Sequence, residues 1–301
     1  MFSTPQTLSA PISFEGIGVH TGTASQLIIA PAVSGTGLVF QREDISGQPR
    51  IPVAVSSVDP QLCQRSTSLY QDGVRVQTTE HVLSALFALG ITDAILHLSG
   101  PEVPFLDGSA QAFVVGLAQS GVVLQPASHP TSVRVIKVLK PLVFREDSWR
   151  YTLLPSEGFT ATYIYASAEP QLRYQIAEWA GQNYEQEIAP ARTFGFLSEV
   201  GPLMAQGLVR GASLANSVVF GKKSVLNTDL RFPNEPARHK LLDLIGDLAP
   251  LGLPLAARMT AFKTGHYTNA LLVRWLQDLI NTSEYDGVRV EPYSAATLKR
   301  D

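Results

Sequence analysis

The order of periodicities along the chain repeats itself, and that repeat constrains the fold more than any single residue does. Residues 7–60 alternate short apolar runs with Gly and Pro (TLSAPISF, SQLIIAP, GLVFQR, RIPVAVSSV), the pattern of antiparallel strands. The period then changes. In TTEHVLSALFALG, Val82, Leu83, Leu86, Phe87 and Leu89 fall at helical spacing, with Thr78 or Thr79 as N-cap and Gly90 as the stop. DAILHLS reads as a strand, GPEVPFLDG as a turn-rich loop, and SAQAFVVGLAQSG as a second helix ending at Gly121. The Pro- and Ser-rich stretch QPASHPTS (125–132) has no periodicity and reads as a linker. Beyond it the strand pattern restarts with VRVIKVL, PLVFRE, RYTLLP and FTATYIYAS. FLSEVGPLMAQG reads as a short helix, SVVFG as a strand, RHKLLDLIGDLAPLG as a helix, RMTAFKTG as a strand and TNALLVRWLQDLI as the last helix.

Each half therefore runs strands, helix, strand, helix. The first helix of each half opens with His beside a charged residue (Glu80-His81, Arg238-His239) and closes on Leu-Gly. The expectation is an α+β protein of two similar domains from an internal duplication, each a mainly antiparallel sheet packed on helices, with the active site between them. Boundaries fall at 1–126 and 131–284, with 285–301 as a loosely ordered tail. At about 150 residues per domain, a 301-residue chain fits that division.

Composition narrows the chemistry. Lys plus Arg number 23 against 26 Asp plus Glu, a net charge of −3 that leaves no footprint for nucleic acid. The single cysteine, Cys63, excludes an internal disulfide and a Cys-rich metal site, so a metal must be held by His, Asp or Glu. No run approaches the roughly 18 apolar residues of a spanning helix, and the first residues, MFSTPQTLSAPISF, lack the basic and apolar regions of a secretory signal. A cytoplasmic protein is expected.

His239, Asp243 and Asp247 recur every fourth residue in RHKLLDLIGDL. At 100° per residue they drift little and form one polar stripe among leucines. The stripe is either the solvent face of an amphipathic helix or a buried ligand set, and spacing alone does not separate the two. As a ligand set, its His and an Asp spaced by four supply two groups, and a catalytic zinc usually takes three. Position in the repeat points to His81 for the third. Its neighbour Glu80 projects about 100° away and is placed to act on water as a general base; it is equally an anion suited to a first helical turn. His266, directly after a glycine at the mouth of the last helix, is either a surface loop residue or a proton-transfer group that Asp247 can orient. The glycine motif GIGVHTG has the wrong spacing for a dinucleotide fingerprint, and Ser109 in DGSAQ lacks the hydrolase elbow.

Over about 280 residues the blocks TLSAPISFEGIGVHTG, TTEHVLSALFALGITDA, GPEVPFLDGSAQAF, ARTFGF, GLVRGAS, RHKLLDLIGDL and FKTGH occur in an order that resembles the UDP-3-O-acyl-N-acetylglucosamine deacetylases of lipid A synthesis. The resemblance implies a zinc-dependent amide hydrolase, with iron(II) as an alternative ion. By position it implies His81, His239 and Asp243 as metal ligands, Glu80 as general base, His266 as acid supported by Asp247, and Thr193 as the hydroxyl at the oxyanion. Phe194, Lys240 and Lys263 match substrate contacts, and Leu197, Val200, Leu214 and Val219 match the lining of an acyl passage. It implies an acylated UDP-sugar as substrate, and a monomer is expected. Departures lie at Gly211-Ala212, at Tyr267–Ala270, at Pro233 and Pro236, and across 167–186. Two other readings compete. One is a lyase or isomerase on the same scaffold, recognisable by turnover without metal. The other is a non-catalytic binder of the acylated UDP-sugar, whose signature is loss of a ligand or of Glu80; neither is lost here.

Overall fold

A computed structural model describes residues 4–125, 134–167, 169, 172–222, 224–282 and 286–292. The chain forms several sheets packed against helices, the α+β architecture expected from the sequence. Six helices appear among the described residues: α1 (Glu80–Leu89), α2 (Gln111–Ser120), α3 (Tyr184–Glu187), α4 (Leu197–Ala205), α5 (Glu235–Asp247) and α6 (His266–Asn281).

The first half builds a five-stranded sheet in the order Ile12–Ile17, Ala24–Pro31, Ala94–Leu98, Leu38–Arg42, Arg50–Pro52. Its central strand, Ala94–Leu98, pairs antiparallel with Ala24–Pro31 and parallel with Leu38–Arg42. Side chains alternate, so Leu27, Ile29, Phe40, Leu96 and Leu98 all point inward and are fully buried. Phe113 of α2 closes this core edge-on against Phe14, with ring centroids 4.9 Å apart. The second half builds a seven-stranded sheet around Leu255–Phe262, which pairs antiparallel with Arg150–Pro155 and parallel with Phe159–Ala166. The strand that follows α1 and the strand that follows α5 therefore each have an antiparallel and a parallel neighbour.

α1 packs on α5, which brings the halves together. Leu83 and Leu86 on one helix and Leu242 and Ile245 on the other are fully buried; each such side chain contributes about 2 kcal/mol by leaving water. The approach is close enough that a Cβ on Gly246 would lie 2.0 Å from the Glu80 carbonyl oxygen. Only glycine fits there, and the contact presses the start of α1 against the end of α5.

Between the sheet strands and α5, Phe194–Phe196 and Val218–Phe220 form a small parallel pair connected through α4. Leu172, Val218 and Phe220 make a satellite core beneath it.

Several local expectations shift. TLSAPISF breaks at Ala10-Pro11, and its first part, Gln6–Leu8, pairs with Val122–Leu124 instead of joining the main sheet. RIPVAVSSV keeps only Arg50–Pro52 as strand before a 3-10 turn at Val55–Ser57. α5 starts three residues before Arg238, because Pro236 sits in the first turn where a missing N–H costs nothing. The strands Leu69–Gln71 and Val74–Val76 form a hairpin around Asp72-Gly73, both at positive φ, which the Asp-Gly pair permits. Tyr174–Trp179, inside the segment of poor resemblance, is a strand. Residues placed in the tail also differ: Val288–Pro292 pairs antiparallel along the whole of Arg134–Val138. The linker residues 126–132 and the rest of the tail, 293–301, lie outside the described residues.

Candidate active site

Burial settles the question that spacing left open for the His239, Asp243, Asp247 stripe. The three are 2%, 1% and 3% exposed, so the stripe is not a solvent face. A carboxylate buried this deeply is costly unless it is paired. α1 supplies the facing groups: Glu80 and His81, each 3% exposed, occupy its first turn. As adjacent helical residues they diverge, and the divergence sorts six titratable side chains into two groups.

In the first group, Asp243 Oδ1 lies 3.7 Å from His81 Nε2 and 3.4 Å from His239 Nε2. One ligand atom from each of these residues lies within 4.8 Å of the others. His239 donates its Nδ1–H to the Ala191 carbonyl at 3.0 Å. That bond fixes the tautomer and leaves the Nε2 lone pair facing Asp243. Burial, and then His81 and Lys240 against the pull of Asp243, lower the His239 pKa to about 4, so the ring is neutral. Burial opposes ionisation of Asp243, but the cationic Lys240 and His266 outweigh it and hold the carboxyl well below the usual range. Its Oδ1 is nonetheless buried with no hydrogen-bond partner among the described residues. Two imidazoles, that of His239 neutral, and an orphaned carboxylate oxygen, aimed at one point, are a donor set that fits a divalent cation.

The second group, Glu80, Asp247 and His266, is equally compact, but in it Asp247 is already fully hydrogen-bonded. Asp247 Oδ1 accepts the Thr67 hydroxyl, and Oδ2 accepts His266 Nδ1–H at 2.9 Å and Asn269 Nδ2–H at 2.6 Å. Asn269 is oriented in turn by the buried Tyr151 hydroxyl, which donates to its Oδ1. With its oxygens occupied, Asp247 is an orienting carboxylate and a poor metal ligand. It holds the His266 proton on Nδ1 and turns Nε2 toward Glu80 Oε1 at 4.0 Å and Asp243 Oδ2 at 3.6 Å. Burial raises the Glu80 pKa to about 7 despite His266 and His81. Burial opposes protonation of His266, but Asp247, Asp243 and Glu80 together lift its pKa to about 9. One carboxylate poised near neutrality thus faces one imidazole that stays protonated.

Of the other expected residues, Lys240 and Phe194 contact the cluster. Lys240 donates to Asp243 Oδ2 at 2.8 Å. Phe194 stands edge-on to the His239 ring at 6.3 Å between centroids. Thr193 is pinned through its backbone between Gly108 and Val218; beside it, the buried Arg192 is clamped on Glu235. Lys263 is exposed, three residues before His266. Leu197 and Val200 of α4 and Leu214 are exposed, and Val219 is half-buried.

Sequence reasoning did not find Thr67, Asn269, Tyr151 or Glu102. Glu102, 1% exposed, accepts the backbone N–H groups of His20 and Thr21 and the hydroxyls of Thr21 and Thr78. It is what shapes the GIGVHTG turn. The only cue was a carboxylate between two prolines in an apolar loop.

The α+β fold brings a His-His-Asp cluster that could hold a metal ion, drawn from both halves, against a Glu and a carboxylate-held His, an arrangement suited to hydrolysis. Residues 5–278 match the model of the LpxC family, UDP-3-O-acyl N-acetylglycosamine deacetylase, and the chain belongs to that family. It is 38% identical over 272 residues to the UDP-3-O-acyl-N-acetylglucosamine deacetylase of Thermosynechococcus vestitus, covering 90% of this chain and 93% of that one. It is 40% identical to the protein of that name from Myxococcus xanthus, covering 89% and 85%. Against the one from Thermodesulfovibrio yellowstonii it is 35% identical, covering 96% and 95%.

Proposed function

We propose that this protein removes the N-acetyl group of UDP-3-O-acyl-N-acetylglucosamine, giving acetate and UDP-3-O-acyl-glucosamine, in lipid A biosynthesis. The observation that carries the reading is the pairing of the two groups described above. One has free ligand atoms and the other has free proton-transfer capacity, and they share one buried space.

In this reading His81, His239 and Asp243 hold a divalent ion, zinc by the His-rich donor set, although iron(II) suits the same ligands. Such an ion polarises the amide carbonyl and lowers the pKa of water beside it. Glu80 accepts the proton as the water oxygen bonds to the acetamide carbon. Thr193 donates its hydroxyl to the developing oxyanion. The C–N bond then breaks, and the amine nitrogen takes a proton from His266, which Asp247 keeps in the productive tautomer. Lys240 and Lys263 meet the diphosphate, with Phe194 against the nucleotide-sugar. The exposed apolar side chains Leu197, Val200 and Leu214, with Val219, receive the acyl chain, each buried CH₂ adding about 0.8 kcal/mol.

Among the described residues no helix is long and apolar enough to cross a membrane. The working form in this reading is a cytoplasmic monomer, since both halves of one chain complete the site.

Glu80→Gln tests the assignment. It keeps the shape of the side chain and removes the base. Acetate release should fall about 10²- to 10⁴-fold while the bound metal per chain stays unchanged. Wild-type turnover in the variant excludes Glu80 as the base.

A further inference from the structure

We propose that Thr67 is a positioning residue that ties the base and the acid of the reaction to one another from the loop that leads into the Leu69–Val76 hairpin; this rests on the deacetylase reading of the site. Thr67 is 2% exposed, and all of its polar groups are engaged. Its N–H donates to Glu80 Oε2 at 2.9 Å. Its hydroxyl donates to Asp247 Oδ1, with the same oxygen 3.3 Å from His266 Nδ1. Its carbonyl accepts both the N–H and the hydroxyl of Thr79, the residue immediately before α1, at 3.1 Å each.

These bonds have a mechanical consequence. Glu80 stands on α1 in the first half, whereas Asp247 and His266 stand on α5 and α6 in the second. The contact of Glu80 with His266 is a 4.0 Å approach with no hydrogen bond between them. Thr67 hydrogen-bonds to carboxylates on both sides. It holds one oxygen of Glu80 back, which leaves Oε1 directed at His266. It also occupies the Asp247 oxygen that does not hold His266, which stops that carboxylate from rotating. The side chain and the main chain do separate parts of this work, so substitution separates them. Thr67→Val keeps the shape and the N–H bond to Glu80 and removes only the hydroxyl. Thr67→Ser keeps both.

The metal-loaded protein should be compared in the three forms by steady-state deacetylation and by proton NMR of the His266 Nδ1–H, which a carboxylate partner shifts downfield and protects from exchange. For Thr67→Val, kcat should fall roughly 10- to 100-fold, the scale of losing an orienting partner. KM should stay within about twofold, because the buried hydroxyl is committed to Asp247. The Nδ1–H resonance should move upfield and lose protection. Thr67→Ser should restore most of the rate and the resonance, with metal content equal in all three. A Thr67→Val protein with the wild-type kcat and an unchanged resonance overturns the proposal. So does a Ser variant as impaired as the Val variant, which signals a packing role alone. If the wild type releases no acetate, the deacetylase reading is what fails, and the NMR comparison still decides whether Thr67 holds the Asp247–His266 pair.

Discussion

Gly246→Ala adds one methyl group where two helices meet, and the structure gives the size of the disturbance. The new Cβ would stand 2.0 Å from the Glu80 carbonyl oxygen and 2.8 Å from its carbon, whereas real Cβ contacts stay beyond 3.0 Å. Both neighbours are main chain, so no side chain can swing aside, and α1 must retreat from α5 by about 1 Å. Overpacking of this kind costs roughly 1–3 kcal/mol, less than the 5–15 kcal/mol that about covers the stability of a folded domain. The variant should therefore fold. Its site should not survive intact, because the retreat carries His81 away from His239 and Asp243, and Glu80 away from His266. Metal sites tolerate roughly 0.2 Å in ligand distance, and a 1 Å misplacement of catalytic groups costs about 10²-fold. Chelator competition should show weaker metal binding, and kcat/KM at saturating metal should fall about 10²-fold. Gly158→Ala is the control, since nothing lies within 4 Å of a Cβ there. A Gly246→Ala protein with a lowered Tm but unchanged metal affinity and kcat/KM would refute the idea that this helix contact sets the geometry of the site.

Two further outcomes follow from named groups. The base must be ionised and the acid protonated, so kcat/KM should rise with pH through the Glu80 limb and fall through the His266 limb. With Glu80 raised to about 7 and His266 raised to about 9, the profile is a bell. The two groups face each other, so the limbs belong to the pair; a bound dication, favouring anionic Glu80 and neutral His266, moves both toward lower pH. A flat profile from pH 5 to 10 contradicts the assignment of acid and base. Separately, Glu102→Gln puts an amide donor among the buried donors of His20, Thr21 and Thr78. It should cost about 3 kcal/mol and lower Tm by several degrees in a thermal melt, and an unchanged Tm contradicts the structural role given to Glu102.

What the sequence makes legible is what repeats at short range. The 3.6-residue period places His239, Asp243 and Asp247 on one face of a helix, and the matching order of the halves brings His81 into line with them. Whether that face is dry is a question of what packs on it, and only the fold answers it: α1 arrives because Gly246 admits it. Thr67 lies in a polar run, Arg65-Ser66-Thr67-Ser68, with no periodicity to mark it, and its partners are 13, 180 and 199 residues away. Asn269 resembles any polar residue of an amphipathic helix until Asp247 is seen beside it. Val288–Pro292 follows a break in pattern and becomes a strand only because Arg134–Val138 leaves an edge open. Lys240 is matched by resemblance to a substrate contact, and only the fold shows that Asp243, three residues on, engages it.

The central claim is that His81, His239 and Asp243 hold an ion on which amide hydrolysis depends. The direct measurement is acetate release from UDP-3-O-acyl-N-acetylglucosamine by one preparation as purified, after removal of metal by a chelator, and after zinc is restored, with bound metal quantified at each stage. The account predicts about one ion per chain in the active protein, loss of activity in step with loss of the ion, and recovery on adding zinc. Undiminished acetate release from chain stripped of metal would contradict it.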